Sequence, residues 1–293
     1  MITASDFFKS KFGCKVYKLS LDAGCTCPNR DGSIGYGGCI FCSQSGSGDF
    51  AENASLSVSE QISNAKKRVS SKIKDGKYIA YFQNFTNTYG NPKHLSKLYF
   101  EAAGNPDIVG VAIGTRPDCL SEEILCVIKK LSEVTFVMLE LGFQTSKEQT
   151  GLYIRRGYTN EAYLHGVNLI KNHCPKVHLV THLIFGLPGE SEEDMLSSVD
   201  FVMKGGSDGI KISVLHILEG TDLAFEYKKG LVTPMEEDEY FLVLQKALNI
   251  IGDRMVLHRL TGDGPKNILL APMWTANKKE VLTRLNKLLS ISD

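Results

Sequence analysis

Four cysteines crowd into eighteen residues of this chain, where the run reads Cys25-Thr-Cys27-Pro-Asn-Arg-Asp-Gly-Ser-Ile-Gly-Tyr-Gly-Gly-Cys39-Ile-Phe-Cys42. Thiols at that density, in a chain with no sign of secretion, point to a metal site before a disulfide framework. Two metal readings compete. Four thiolates would close a tetrahedral zinc site, which would be structural. Three would hold an iron–sulfur cluster and leave one iron open to a ligand. Gly32, Gly35, Gly37 and Gly38 let the backbone turn tightly around something compact. Cys14, Cys119, Cys126 and Cys174 are scattered, and Cys126, in the helical run SEEILCVIKKL, is expected to be a small buried hydrophobe.

The elements that must position these thiols alternate between strand-like and helix-like. Strand candidates fall at 15–21, 78–83, 108–114, 134–143, 177–185 and 209–217, each short and rich in β-branched or aromatic residues. Amphipathic stretches lie between them at 54–74, 92–104, 119–132, 159–174 and 190–204. A sixth helix is predicted from a capping box of Thr233, Pro234 and Glu236, with Phe241, Leu244, Leu248 and Ile251 at helical spacing. Six β/α units in succession imply parallel strands joined by right-handed crossovers. Six is too few for a complete eight-fold barrel, so the α/β fold is either a doubly wound sheet or, as preferred here, a partial (β/α)6 TIM-like barrel. Residues 1–253 are read as that barrel with an N-terminal extension and a cysteine loop at 25–42. Residues 254–293 are read as a C-terminal appendage packed on it, with a possible strand in MVLHRL and a last helix from about Asn277. The cysteine loop then follows the first strand, at the strand end where parallel α/β folds place their ligands. That position favours a catalytic cluster over a zinc knuckle.

Composition narrows the partners. Of 293 residues, 33 are Lys or Arg and 33 are Asp or Glu, so the net charge of zero argues against a histone-like binder but allows local basic patches. The stretch 64–77 holds Lys66, Lys67, Arg68, Lys72, Lys74 and Lys77 against Asp75 alone, and further cations sit near both termini. A hydrophobic content of 43% and a charged content of 23% are those of a globular chain. No apolar run reaches the roughly eighteen residues of a membrane helix. MITASDFFKSKFG lacks the apolar core of a signal peptide, so a cytoplasmic protein without a membrane partner is expected.

The cysteine run resembles the cluster loop of radical S-adenosylmethionine (SAM) enzymes, in particular the YhcC/YtqA-like branch related to the Elongator catalytic subunit, whose loop reads CPNRDG…GGCxFC. The common superfamily spacing is C-x3-C-x2-C; here eleven residues separate Cys27 from Cys39, as is the habit of that branch. The likeness continues through TRPD (115–118), ELGFQT (140–145), RRGYT (155–159), GLPGES (186–191), KISVLHILEGT (211–221) and HRLTGDGP (258–265).

The resemblance implies a [4Fe–4S] cluster on Cys27, Cys39 and Cys42, with Cys25 as an extra. It implies that Phe41 packs on the SAM adenine and that Asn84, Phe85 and Thr86, at the end of the second strand, meet SAM through backbone carbonyls. It further implies that Gln144 contacts SAM, that Arg156 pairs with the SAM carboxylate, and that Leu215 is a cofactor position. Strand alternation adds that Glu140 shares a face with Met138 and Gln144, His182 with His178, and Lys211 with Ser213 and Leu215. If those faces point inward, Glu140, His182 and Lys211 surround the reacting atoms; the bland alternative for each is a satisfied structural hydrogen-bond network.

The activity implied is reductive cleavage of SAM to methionine and a 5′-deoxyadenosyl radical, fed by an electron donor such as flavodoxin or ferredoxin. Kinship implies tRNA as partner, with the 5-position side chain of the wobble uridine as target. No acetyltransferase-sized extension is present, so the second activity of the Elongator subunit is not expected. The alternatives are a radical SAM enzyme acting on a small metabolite or peptide, and a zinc-stabilised, non-catalytic nucleic-acid-binding protein.

Overall fold

The computed structural model describes residues 1–46, 51–71, 73, 76–262 and 264–291. Its first half comprises β1 (Ile2–Thr3), α1 (Ala4–Phe12), β2 (Val16–Leu21), α2 (Val58–Val69), β3 (Lys77–Phe82), α3 (Pro92–Ala103), β4 (Ile108–Thr115), α4 (Glu122–Val134) and β5 (Phe136–Gln144). Then follow α5 (Glu148–Tyr153), α6 (Asn160–His173), β6 (His178–Phe185), α7 (Glu192–Lys204), β7 (Gly209–Val214), β8 (Ile217–Leu218) and α8 (Asp222–Lys228). The chain closes with α9 (Glu237–Ile251), β9 (Val256–Arg259), β10 (Leu269–Ala271) and α10 (Lys278–Ile291).

Strands β2 to β7 pair in chain order, all parallel. This is the expected (β/α)6 succession, and the sheet curls into a half-barrel. It does not stop at six strands. Strand β9, from MVLHRL, pairs parallel with β7, and β1 pairs parallel with β9, so the two chain ends lengthen the main sheet. Among the described residues no pairing joins β1 to β2, and the barrel stays open along that edge.

Alternation splits each strand between two cores. In β5, Val137, Leu139, Leu141 and Phe143 pack outward with Ile62 of α2, Tyr99 of α3, Ile128 of α4, Tyr163 of α6, Val199 of α7 and Leu244 of α9. Met138 faces inward with Ile79, Tyr81, Ala112 and Val180, and Phe8 of α1 plugs this interior from the N-terminal ends of the strands. Phe7 stacks on His178 there at 4.6 Å. Covered on both faces, the strands read as the near-continuous apolar runs that marked them in the sequence.

Caps explain where helices begin. α2 starts at Val58, not 54, because Ser57 and Glu60 form a capping box. The Thr233 capping box is not formed: α9 starts at Glu237, and its N-cap Glu236 makes no side-chain bond. Met235 is buried instead and its carbonyl accepts from the Trp274 indole at 3.0 Å, which fixes the approach to the helix. Cys126 is exposed, contrary to expectation, because the buried stripe of α4 runs through Ile124, Leu125, Ile128 and Leu131 and misses it.

Candidate active site

Above the aromatic plug, one carboxylate organises the barrel interior. Glu140 of β5 accepts from Lys18 Nζ of β2 at 2.5 Å, Tyr81 Oη of β3 at 2.6 Å, His182 Nε2 of β6 at 2.7 Å and Lys211 Nζ of β7 at 3.0 Å. Burial alone would raise the Glu140 carboxyl, but Lys18, Lys211 and His182 outweigh it and hold the group well below the usual carboxylate range. Burial brings His182 down to about 4, helped by Lys211, so its imidazole is neutral. Burial also brings the Lys211 amine down to about 8, and the Glu140 charge keeps it from falling further.

At the C-terminal ends of the strands this hub opens into a cavity of about 250 Å³, lined by Cys27, Cys39 and Cys42 together with Glu140 and His182. The loop that brings the thiols there is braced by Arg30, which donates to the carbonyls of Ser43 at 2.5 Å and Cys42 at 3.4 Å and lies 5.3 Å over the Phe85 ring. Gly38 turns at φ +84°, and a Cβ there would come within 2.9 Å of Arg30 Nε, so only glycine fits. A hydrogen bond from Cys42 pulls the Cys39 thiol down to about 7 against the effect of burial, with Arg116, Asn29 and Arg30 adding to the pull. Asn29 Nδ2 lies 3.7 Å from Cys39 Sγ. Three soft thiols beside two guanidiniums fit a thiolate-held iron–sulfur cluster better than a hard cation.

Cys25 faces elsewhere. It lines a separate cleft with Tyr89 and Cys119, and its thiol is pushed up to about 12 by burial and then by Asp22. Among the described residues no group of three His, Cys, Asp or Glu side chains is arranged around a single metal ion. A four-cysteine site would need Cys25, which lines a different cleft from the other three thiols.

Of the other residues singled out in the sequence, Phe41, Phe85, Thr86, Gln144 and Arg156 line the cavity with the thiols. Asn84 does not: its amide donates to Asp22 at 2.5 Å, and it lines a groove on the far side of Gln83. Leu215 is buried with Ile40, Ile154 and Leu187 behind the cysteine loop. Arg156 is not a surface residue, although it lines the cavity. It is 1% exposed, and its guanidinium donates to Tyr158 O (2.9 Å), Phe143 O (3.3 Å), Thr145 O (2.6 Å), Glu148 Oε2 (3.2 Å) and Asn160 Oδ1 (3.1 Å). All five donors hold the turn after β5 together.

The basic stretch 64–77 is also altered by folding. Lys66 pairs with Asp107, Lys77 lies 3.8 Å from the same carboxylate, and Arg68 pairs with Glu52 at 2.5 Å. Lys72, Lys74 and Asp75 lie outside the described residues.

Sequence reasoning missed Lys18, Tyr81, Asn29 and Arg116. Lys18 and Tyr81 had a usable signal, since each alternates with residues of the outer core on its strand. Backbone strain had none. Among the described residues, the non-glycine positions with positive φ are Phe85 (+55°), Gln144 (+67°) and Arg155 (+56°). Two of them line the cavity, and the Arg155 carbonyl accepts from Asn29 at 2.5 Å and from Cys39 at 3.6 Å. Strain of this kind gathers at functional sites.

Comparison with known proteins gives the family and the fold. Residues 27–202 match the family model of the radical SAM superfamily, and residues 207–290 match that of its C-terminal domain. The chain is 42% identical to the uncharacterized protein YtqA of Bacillus subtilis over 97% of its own length and 88% of the relative's. It is 34% identical to protein YhcC of Escherichia coli over 96% of its length and 89% of that protein's. A tRNA-2-methylthio-N(6)-dimethylallyladenosine synthase of Fusobacterium nucleatum is 32% identical over 54% of this chain and 38% of its own. Among solved structures, Elp3 of the archaeon Methanocaldococcus infernus superposes with a TM-score of 0.66 at 18% identity, covering 93% of this chain and 63% of that one. The fold is thus shared, while this chain spans under two thirds of that Elp3. Among the described residues no helix is long and apolar enough to cross a membrane.

Proposed function

The chain belongs to the radical SAM superfamily and is a radical SAM enzyme, and from that premise we propose that it acts on tRNA, at the 5-position side chain of the wobble uridine. Members of the superfamily use SAM and a [4Fe–4S] cluster, and we assign the cluster thiolates to Cys27, Cys39 and Cys42. The observation that carries the reading is the convergence of these thiols and the Glu140 hub on one cavity at the barrel mouth. Those three thiolates would hold the cluster, which, reduced by a donor such as flavodoxin or ferredoxin, would supply the electron for reductive cleavage of SAM.

The residues of the chain supply the setting. Asn29, Arg30 and Arg116 favour thiolate over thiol at Cys39. Phe41, Phe85, Thr86 and Gln144 form the wall against which SAM is held. Lys211, near 8, changes protonation close to neutrality, and neutral His182 shares Glu140 with it, so these three are proposed to hold and move protons at the substrate. The tRNA half draws support from tRNA-modifying relatives.

Two measurements test the two halves. The reduced protein with SAM should release 5′-deoxyadenosine even without substrate. Mass spectrometry of tRNA nucleosides from a deletion strain should show a lost or truncated wobble-uridine side chain; an unaltered nucleoside profile would remove tRNA as the substrate.

A further inference from the structure

A groove of about 1010 Å³ runs beside the unpaired edge of β2. Its cationic wall consists of Lys18 from β2, Arg68 from α2, Arg259 from β9, Lys266 from the following loop and Lys278 at the start of α10. Among the described residues no Asp or Glu lines it. Arg68 pairs with Glu52 and Lys18 with Glu140, but both carboxylates lie outside the wall. Cations gathered on a concave surface backed by low-dielectric protein concentrate their field on whatever enters.

The groove adjoins the active-site cavity. Gln83 lines both, and Lys18 is at once part of the groove wall and a donor to Glu140. Lys18 and Arg68 already hold carboxylates, and the whole set, drawn from five separate segments, exceeds what a small anion can contact at once. Such a set suits a ligand with repeated negative charges. Chemistry on a base of a structured RNA also requires the base to leave its stack while the backbone is held.

We propose that this groove binds the phosphate backbone flanking the target nucleotide of tRNA and so presents that nucleotide to the cavity; the proposal rests on the tRNA reading above. Of the basic stretch 64–77, Arg68 belongs to this groove, while Lys66 and Lys77 lie by Asp107 and are not part of its lining.

The test compares two double charge reversals in the full-length, cluster-loaded protein. Lys266→Glu with Lys278→Glu alters the groove. Lys129→Glu with Lys130→Glu makes the same charge change on the exposed face of α4. Binding of an unmodified, full-length tRNA transcript is followed by anisotropy across about 50 to 200 mM salt. The groove variant should lower the slope of log affinity against log salt by about 1.4, since each lost single-strand phosphate contact is worth about 0.7, while the α4 variant keeps the wild-type slope. A wild-type slope in the groove variant, or equal drops in both, overturns the proposal and leaves the tRNA reading standing. If the wild type itself shows no salt-dependent tRNA binding although it cleaves SAM, the tRNA reading fails first. Should the double groove variant not fold, Lys266→Ala alone should lower the slope by about 0.7.

Discussion

Replacing Glu140 by Gln keeps the shape of the hub and removes its only described carboxylate. Four donors converge on that side chain, which has no exposed surface, and two of them are the ammonium groups of Lys18 and Lys211. Removing one partner of a buried ion pair costs about 3–5 kcal/mol, because the remaining charge stays desolvated. For a domain of this size that is roughly 2 °C per kcal/mol, so the melting temperature should fall by about 6–10 °C. The loss should also depend on pH. The folded-state value of Lys211, about 8, lies below its ordinary 10.5, so the unfolded state binds more protons in between and stability rises with pH through that window. Without Glu140 the amine falls lower still, and Lys211 adds an extra penalty only where the variant is protonated against its environment. The deficit should therefore be greatest near about pH 6 and shrink as pH passes about 8. Thermal unfolding of the cluster-loaded protein at several pH values measures this, and adding Lys211→Met to Glu140→Gln should recover much of the loss. A melting temperature unchanged at every pH, or a deficit as large at about pH 9 as at about pH 6, would refute the charge argument.

Cys27→Ala, Cys39→Ala and Cys42→Ala should each abolish the iron-dependent visible absorption, whereas Cys25→Ala should retain it; a colourless Cys25 variant would reassign the thiols. Arg156→Lys keeps the charge but loses the planar fork, leaving the buried carbonyls of Phe143, Thr145 and Tyr158 short of donors. Its melting temperature should fall by the equivalent of about 2–4 kcal/mol. SAM affinity that drops while the melting temperature holds would instead make Arg156 a ligand-binding residue.

What the sequence revealed followed from periodicity and from local grouping. Alternation in β5 and β6 was enough to place Glu140 and His182 on one face, because both strands are covered on each side and their register admits one inward set. The cysteine loop was legible because its thiols are neighbours in the chain. Alternation could have turned Lys18 inward, but its partner Glu140 lies 122 residues away, and a lysine on an edge strand reads as a solvated charge. The burial of Arg156 was hidden for a related reason: nothing local shows that the carbonyls of Phe143 and Thr145 will turn back toward it. Strand β1 was hidden because it is two residues long and joins the sheet only through β9, at the other end of the chain, whereas β9 was legible as the strand in MVLHRL but its place beside β7 was not.

The positive φ angles at Phe85, Gln144 and Arg155 belong to the same class of hidden feature, and they bear on the site most directly. No residue preference anticipates them, since aromatic, amide and arginine side chains all disfavour that region, at about 1–3 kcal/mol each. Each is held by surroundings built from distant segments. Phe85 lies under the Arg30 guanidinium and against Gly46, where a Cβ on the glycine would come 3.0 Å from the ring. Gln144 ends the strand that carries Glu140 and is followed by Thr145, whose carbonyl binds Arg156. Arg155 offers its carbonyl to Asn29 and Cys39. The cysteine loop thus packs against strained positions after β3 and after α5, beside a third at the end of β5. Contacts between distant segments therefore set the backbone around the thiol-lined cavity, as a site that must hold its groups in one geometry requires.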